Sequence, residues 1–208
     1  MKQSIWGLSI LVFLLTIKTA AFADVGDDFV NNGIRYIIFA SGHVGGDGVS
    51  ACVEPIRNTK YSGNITIPER ITHNGKTYVV SMIDQSAFEN CVDLQSISLP
   101  NTIVEIRTNA FKGCSRIKSI VIPNSVLELR NNVFENATSL ISISIGNQIK
   151  EIFTNTFAGC ASLKSITFPK SIERISSDAL KGCTSLEEAI FECCIKIPVV
   201  LKGNKSIK

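Results

Sequence analysis

Hydrophobic and polar residues recur along this chain at a fixed spacing and without insertions. The clearest apolar column, with a 23-residue period, is Phe88, Phe111, Phe134, Phe157 and Leu180. A column of small residues lies three positions further on, at Cys91, Cys114, Ala137, Cys160 and Cys183. A fixed period in this range is typical of tandem repeats, each of which is one supersecondary unit. We therefore predict about five 23-residue repeats over residues 81–192.

Each repeat is predicted to contain short strands and turns, with little helix. In the segment 117–123, apolar residues at 117, 120 and 122 point one way, and Pro123 ends the strand because it has no N–H. A second short extended piece holds Val126 and Leu129, and a turn fits residues 109–114. We expect polar side chains at the start of this turn to cap backbone N–H groups, at Ser86, Asn109, Asn132, Asn155 and Asp178.

A single repeat cannot bury enough apolar surface to offset its loss of chain entropy, so stability must come from stacking. The terminal repeats then need caps. Residues 24–80 are predicted to form an N-terminal β-rich cap with strands at 33–39 and 49–56 and a partial repeat at 65–68. Asn74-Gly75 predicts a hairpin turn within it, and residues 193–208 are predicted to form a C-terminal strand and tail.

Residues 1–23 have the layout of a secretory signal peptide. Lys2 precedes an apolar run at 5–17, and Ala21-Phe22-Ala23 gives a small-x-small site before Asp24. The run is short for a membrane span, which needs about 20 residues. We therefore expect cleavage before Asp24 and an exported chain with no membrane span, with a retained N-terminal anchor as the alternative.

The composition, with 45% hydrophobic and 19% charged residues, excludes a disordered chain. Of 21 basic residues, Lys2 and Lys18 lie in the predicted signal peptide, so 19 basic and 18 acidic residues remain and the net charge is +1. A nearly neutral surface cannot attract a polyanion, which argues against a nucleic-acid partner.

Candidates for catalysis or cofactor binding are few. The chain has two histidines, His43 and His73, and no H-E-x-x-H, Cys-x-x-Cys or G-x-S-x-G motif. Gly75-Lys76-Thr77 resembles the end of a phosphate loop, but the glycine that this motif requires at the fifth position before Gly75 is Arg70. The sequence therefore predicts no catalytic residue, metal site or cofactor, and a protein that is not an enzyme.

The seven cysteines include pairs in equivalent positions of adjacent repeats, such as Cys91 and Cys114. Parallel strands about 4.7–4.9 Å apart would keep such Cβ atoms further apart than the ~3.8 Å of a disulfide. We therefore expect buried, reduced thiols that pack as small hydrophobic groups. The sequence predicts no position in the fold for Cys52, Cys193 and Cys194.

With these columns, the chain resembles the BspA-like (Treponema-type) leucine-rich repeat family. The positions that carry the resemblance are Leu94, Ile97, Leu99, Pro100, Ile106, Ala110, Phe111, Gly113, Cys114 and their periodic copies. Ala137, Gly146, Leu180 and Ala189 depart from the pattern. The resemblance implies a right-handed leucine-rich repeat solenoid, export by a bacterium, and binding of host proteins, matrix proteins or other cells.

Two exposed columns are candidate binding surfaces. The first is small, uncharged and rich in hydroxyl groups, and we name it the strand face: Ser96, Ser98, Ser119, Val121, Ser142, Ser144, Ser165 and Thr167. A solvated sheet face chosen for β propensity is the alternative. The second, the charged column, is Glu105, Glu128, Glu151 and Arg174. Arg107 and Arg130 lie close enough in sequence to offset its charge, and cation binding is the alternative to a salt-bridged surface.

The leading hypothesis is an exported, secreted or cell-surface binding module that recognises a protein or glycan, with adhesion to host or matrix as one role. A periplasmic scaffold is the second hypothesis, and an enzyme acting on cell wall or glycan is a remote third. The partner, the oligomeric state and the mode of surface attachment do not follow from the sequence.

Overall fold

The computed structural model describes residues 24–40, 49–56 and 58–192. The predicted signal peptide, the glycine-rich segment 42–48, whose composition predicts a turn or loop, and the predicted C-terminal strand and tail lie outside these residues. Within them the regular secondary structure is fifteen β-strands joined by turns. The strands are β1 (Asp28–Asn31), β2 (Ile34–Ala40), β3 (Val49–Val53), β4 (Gly63–Thr66), β5 (Arg70–His73), β6 (Lys76–Ile83), β7 (Leu94–Ser98), β8 (Glu105–Ile106), β9 (Ser119–Val121), β10 (Glu128–Leu129), β11 (Ser142–Ser144), β12 (Glu151–Ile152), β13 (Ser165–Phe168), β14 (Arg174–Ile175) and β15 (Glu188–Phe191).

The repeats stack so that equivalent residues pair across parallel strands. In β9 and β11, Ser119 pairs with Ser142, its equivalent one repeat later. The two-residue strands β8, β10, β12 and β14 also pair in parallel, for example Leu129 with Ile152. They belong to one nine-stranded sheet, here named the lateral sheet, with the order β1-β2-β3-β6-β8-β10-β12-β14 and β5 beside β6. The predicted stack of strand-and-turn repeats is confirmed.

The core lies between the lateral sheet and the strands β7, β9, β11, β13 and β15. It is built from the periodic apolar columns, because each strand turns alternate residues inward. Phe88, Phe111, Phe134 and Phe157 are each at most 1% exposed. Their rings stack in sequence, and Tyr61 of the partial repeat packs against Phe88 with ring centroids 4.7 Å apart.

The N-terminal cap continues the lateral sheet. Strands β1, β2 and β3 pair antiparallel, and β3 then pairs in parallel with β6, so the sheet changes direction at this point. β5 and β6 form the predicted hairpin, in which Asn74 and Gly75 have φ values of 48° and 74°. β6 crosses the predicted division at residue 80 and joins cap and array in one sheet.

The partial repeat is longer than the others. β4 pairs in parallel with β7, and Ile65 is the partner of Ile97, a longer step along the chain than the step from Ile97 to Ile120. The β5–β6 hairpin lies between β4 and β7 in the chain and accounts for the extra length.

The polar column that leads each turn has a different role from the predicted one. Ser86, Asn109, Asn132 and Asn155 all adopt left-handed backbone conformations, with φ between 55° and 60°. Asparagine tolerates this region better than most residues. Asn132 donates from Nδ2 to Oδ1 of Asn109 over 3.0 Å, so these side chains connect adjacent repeats.

The five cysteines in the described part of the chain are unpaired and buried, which confirms the prediction for Cys91, Cys114, Cys160 and Cys183 and adds Cys52 to the same class. Three thiols in the array donate to a backbone carbonyl of the preceding repeat: Cys114 to Phe88, Cys160 to Phe134 and Cys183 to Phe157, over 3.1–3.2 Å. Burial raises the pKa of Cys114 to about 12 and that of Cys183 to about 11. These thiols are therefore neutral packing groups.

Among the residues that the structure describes, no helix has the length and apolar character needed to cross a membrane.

Candidate binding surfaces

The eight predicted residues of the strand face lie together and are exposed. They occupy the outward positions of β7, β9, β11 and β13, because side chains alternate along a strand. Ser119 pairs with Ser142, and Val121 pairs with Ser144. The structure thus places the predicted columns side by side on one continuous surface.

The strand face continues beyond these eight residues at both ends: β4 at its N-terminal end was not predicted, whereas Glu188 and Ile190 of β15 are the next members of the same 23-residue columns. Asn64 and Thr66 of β4 pair with Ser96 and Ser98, and Ser96 donates to Oδ1 of Asn64 over 2.6 Å. At the other end, β15 adds Glu188 and Ile190. The 23-residue period does not reveal Asn64 and Thr66, because the hairpin between β4 and β7 breaks the spacing.

The strand face combines hydroxyl groups with a few exposed aliphatic side chains. Val121 is 64% exposed, Ile190 is 43% exposed, and Ile141, next to Ser142, is 41% exposed. None of the exposed large apolar residues in the described part of the chain is aromatic. The surface can therefore form hydrogen bonds and bury aliphatic groups, but it offers no ring on which a flat ligand could stack.

The charged column is also assembled, but its acids are paired with basic residues. Glu105 lies beside Glu128, and Glu151 lies beside Arg174. Arg130 bridges the first pair, with Nε 2.9 Å from Glu105 and a second contact to Glu128. Arg174 reaches Glu151 over 2.6 Å. Arg107 contributes as predicted, 3.4 Å from Glu105.

These ion pairs decide what the charged column can bind. A cation would have to displace an arginine from each carboxylate, so the column favours a salt-bridged surface over a cation site. Exposed pairs of this kind contribute little to stability individually.

A cluster that the sequence did not predict lies at the cap end of the lateral sheet. Potential ligand atoms of Cys52, Glu54 and Asp84 lie within 4.8 Å of one another. Arg35 approaches Glu54 to 3.4 Å, and Arg107 approaches Asp84 to 2.7 Å. Each carboxylate thus already has a guanidinium partner. No sequence motif could have revealed this group, because parallel pairing of β3 with β6 brings its members together.

The pKa values of the two acids in this cluster move apart. Burial, followed by the hydrogen bond to Asp84 and its charge, raises the pKa of Glu54 to about 7. Burial acts in the same direction on Asp84, but hydrogen bonds to Glu54, the backbone and Arg107 outweigh it and lower the pKa of Asp84. The pair therefore holds one proton, on Glu54, at mildly acidic pH.

The start of the described chain packs on the β5–β6 hairpin. His73 bonds Asp27 over 2.9 Å and stacks on Phe29 with ring centroids 3.8 Å apart. Hydrogen bonds from Tyr78 and Lys76 lower the pKa of Asp24 to about 2. His73 therefore contributes to cap packing, and His43 lies outside the described residues.

Parallel strands with a 23-residue step, stacked phenylalanines and turns in place of helices define a leucine-rich repeat solenoid. The chain belongs to the BspA type leucine rich repeat family, whose model matches residues 81–198 in six copies. The match counts one copy more than the predicted number of about five and extends past the predicted end of the array at residue 192.

Solved structures show the same fold. A leucine-rich repeat protein from T. pallidum is 26% identical with a TM-score of 0.62, over 70% of this chain and 65% of that one. The pneumococcal vaccine antigen PcpA is 18% identical with a TM-score of 0.62, over 81% and 51%. A leucine-rich cell surface protein from Faecalibacterium prausnitzii is 21% identical with a TM-score of 0.50, over 83% and 56%.

The chain spans between half and two thirds of the length of these three structures. None of the curated proteins matches it significantly. The comparisons therefore show the family and the fold.

Proposed function

We propose that this protein is an exported, non-enzymatic binding module that recognises a partner protein through the strand face. The observation that carries this proposal is the alignment of exposed hydroxyl and aliphatic side chains along β4, β7, β9, β11, β13 and β15, which pair in register as β4 with β7, β9 with β11 and β13 with β15. Leucine-rich repeat arrays present extended surfaces of this kind, and such surfaces suit macromolecular ligands.

A protein partner fits this surface better than a glycan. Val121, Ile141 and Ile190 are aliphatic groups that a second protein can bury, and no exposed aromatic ring accompanies them among the described residues. The charged column is a weaker candidate, because Arg130 and Arg174 already occupy its acids.

Export is part of the proposal and rests on the predicted signal peptide at residues 1–23. The descriptions of two relatives as a cell surface protein and as a vaccine antigen support it. Adhesion to a host or matrix protein is the role that follows if the partner lies outside the cell.

The binding test is a pull-down of residues 24–208 against extracellular matrix proteins and glycans. The test variant carries Ser142→Arg and Ser165→Arg, which place bulky charges on the strand face. The matched control carries Ser177→Arg, an exposed serine outside the strand face. We expect the first variant to lose the captured protein and the control to retain it.

A further variant with Glu128→Gln and Glu151→Gln tests the charged column. If this variant alone loses binding, or if the strand-face variant binds as well as the wild type, the strand face is not the binding surface. Capture of a glycan in place of a protein would also contradict the proposal.

Cell fractionation tests export separately. We expect the chain in the medium or on the cell surface, with an N-terminus at Asp24. Confinement to the periplasm would make a scaffold role the better explanation.

A further inference from the structure

A groove of about 440 Å³ opens beside β4, at the N-terminal end of the strand face. We name it the end groove. The turn between β1 and β2 forms one wall and β4 forms the other. Ile56 and Ile65 contribute apolar surface to it and Asn32 and Asn64 contribute amides, while Tyr36 and Tyr61 are almost completely buried. Its volume is within the range of natural ligand sites, and its lining is slightly more polar than apolar.

The edge of β4 that faces this groove is unpaired. The N–H groups of Gly63 and Ile67 donate to Asp93 and Ser98, so the odd-numbered residues of this segment bond towards β7. Because successive peptide groups of a strand point to opposite sides, the N–H and C=O groups of Asn64 and Thr66 point away from β7. In the described part of the chain, β7 is the one strand that pairs with β4.

The cap explains why this edge is left open. Strands β1 to β3 extend the lateral sheet, and thereby cover one half of the N-terminal end of the solenoid. The strands that carry the strand face form three two-stranded sheets, β4-β7, β9-β11 and β13-β15, and none of these has an equivalent extension among the described residues. An exposed strand edge is a template for another strand, and proteins normally cover it.

We propose that the end groove binds an extended peptide segment of a partner protein, which pairs with β4 as an additional strand. The peptide forms backbone hydrogen bonds with Asn64 and Thr66, as in other cases of β-strand addition. Its alternate side chains point inward, onto Ile56 and Ile65, and outward, where they extend the strand face.

The charge of the groove lining determines which peptides fit best. Lys60 is the one charged residue among the described residues that line the end groove. Its Nζ donates to the backbone carbonyl of Glu89 over 2.7 Å, which holds the positive charge beside the groove. Neutral and acidic segments therefore fit better than basic ones.

This site is separate from the strand-face variants of the proposed function. A peptide on β4 contacts neither Ser142 nor Ser165, which lie on β11 and β13. The two proposals can therefore fail independently.

The probes are three fluorescein-labelled peptides with the sequence LQSISLP, which is residues 94–100 of the chain and contains β7. One peptide has neutral ends, one carries two added glutamates and one carries two added lysines. Binding to residues 24–208 is followed by fluorescence anisotropy. We expect saturable binding of the neutral and acidic peptides and weaker binding of the basic one.

The matched variants are Thr66→Pro and Thr66→Val. Proline removes the outward N–H, and an edge strand tolerates this change because the lost donor has no internal partner. Valine keeps the N–H and the strand propensity. We expect Thr66→Pro to bind the peptide roughly tenfold or more weakly than Thr66→Val, which differs from it in keeping the backbone donor.

Amide hydrogen exchange of the wild-type chain gives a second readout that needs no variant. The amides of Asn64 and Thr66 should exchange rapidly in the free protein and become protected when the neutral peptide is added. Ile65 and Ile67 should be protected in both states.

Failure of all three peptides to bind at millimolar concentration, or unchanged binding to Thr66→Pro, would overturn the proposal. Self-association of the free chain that Thr66→Pro abolishes would also overturn it, because a second copy would then occupy the groove.

Discussion

The rings of Phe111 and Phe134, one repeat apart in the chain, stack with centroids 5.4 Å apart and planes within 4° of parallel. The same relationship joins Phe88 to Phe111 and Phe134 to Phe157. One phenylalanine from each of four successive repeats thus forms a continuous aromatic column. The column fixes the register of the repeats. If one repeat moved by a few residues relative to its neighbour, their two rings would no longer stack.

Replacing a central ring should therefore destabilise the array strongly. We expect Phe134→Ala to lower the free energy of unfolding by about 3–5 kcal/mol, since the cavity affects the rings on both sides. Phe134→Leu should cost less because it fills part of the space. Urea unfolding monitored by circular dichroism measures both effects.

The control for this prediction is Val121→Ala, which truncates an apolar residue that is 64% exposed. Its effect should stay within about 0.5 kcal/mol. Equal losses for Phe134→Ala and Val121→Ala would mean that the aromatic column does not hold the repeats together.

Gly146 gives a prediction that runs against the repeat pattern. Proline stands at the equivalent positions 100, 123 and 169, so a substitution towards the pattern would be expected to stabilise the chain. A Cβ at position 146, however, would lie 2.3 Å from the carbonyl oxygen of Pro123. The obstacle is backbone of the preceding coil, which cannot move aside like a flexible side chain.

We therefore expect Gly146→Ala and Gly146→Pro both to destabilise the chain, by about 1–3 kcal/mol for alanine. Gln148→Ala, an exposed position in the same turn, serves as the control. Thermal unfolding of the three variants measures these changes in stability. A higher Tm for Gly146→Pro than for the wild type would show that proline's fit to the repeat pattern outweighs its clash with the backbone of Pro123.

Periodicity accounts for most of what the sequence predicted. The strand face and the charged column follow from the fixed step between repeats, since parallel stacking brings equivalent positions together. The hairpin at Asn74-Gly75 follows from local turn chemistry. The first signal is the exact spacing of equivalent residues, and the second is a two-residue turn motif. Both can be read from the sequence without knowing which distant segments pair.

Features that depend on broken spacing or long-range pairing were not predicted. The pairing of Asn64 with Ser96 spans more than one period of the repeat, so the periodic columns do not contain it. Cys52 and Asp84 meet because β3 pairs in parallel with β6, and nothing in either segment predicts that partner. The end groove depends on the same arrangement of the cap, and for that reason it was also missed.

The thiols of the array should be unreactive in the folded protein. Burial raises the pKa of Cys114 to about 12, and its Sγ donates to the carbonyl of Phe88. In a Cys193→Ser and Cys194→Ser variant, Ellman's reagent at pH 8 should therefore detect almost no thiol in the native state. It should detect all five remaining cysteines in concentrated urea.

Rapid reaction of a thiol in the folded variant would contradict this prediction and identify an opening of the array. Cys114→Ala tests the packing role without the thiol, and we expect a loss of about 1 kcal/mol from the smaller side chain.

The paired acids Glu54 and Asp84 predict a pH dependence of stability at the junction of cap and array. The pKa of Glu54 is raised from 4.5 to about 7 in the folded chain, by burial first and by Asp84 second. Between these two pH values the folded state binds a proton that the unfolded state has lost. The free energy of unfolding must therefore decrease as the pH rises from about 4.5 to about 7. We expect a loss of about 1–3 kcal/mol over this window.

Glu54→Gln tests the origin of this slope. The amide has nearly the shape of the protonated acid and donates to Asp84 at every pH, so the slope between pH 5 and pH 8 should flatten. Glu69→Gln, an exposed acid in the turn between β4 and β5, should leave the slope unchanged. Urea unfolding at intervals of one pH unit measures both. A slope that survives in Glu54→Gln would place its cause elsewhere. A flat profile in that variant would identify protonation of Glu54, beside Asp84 where β3 pairs with β6, as the cause of the slope.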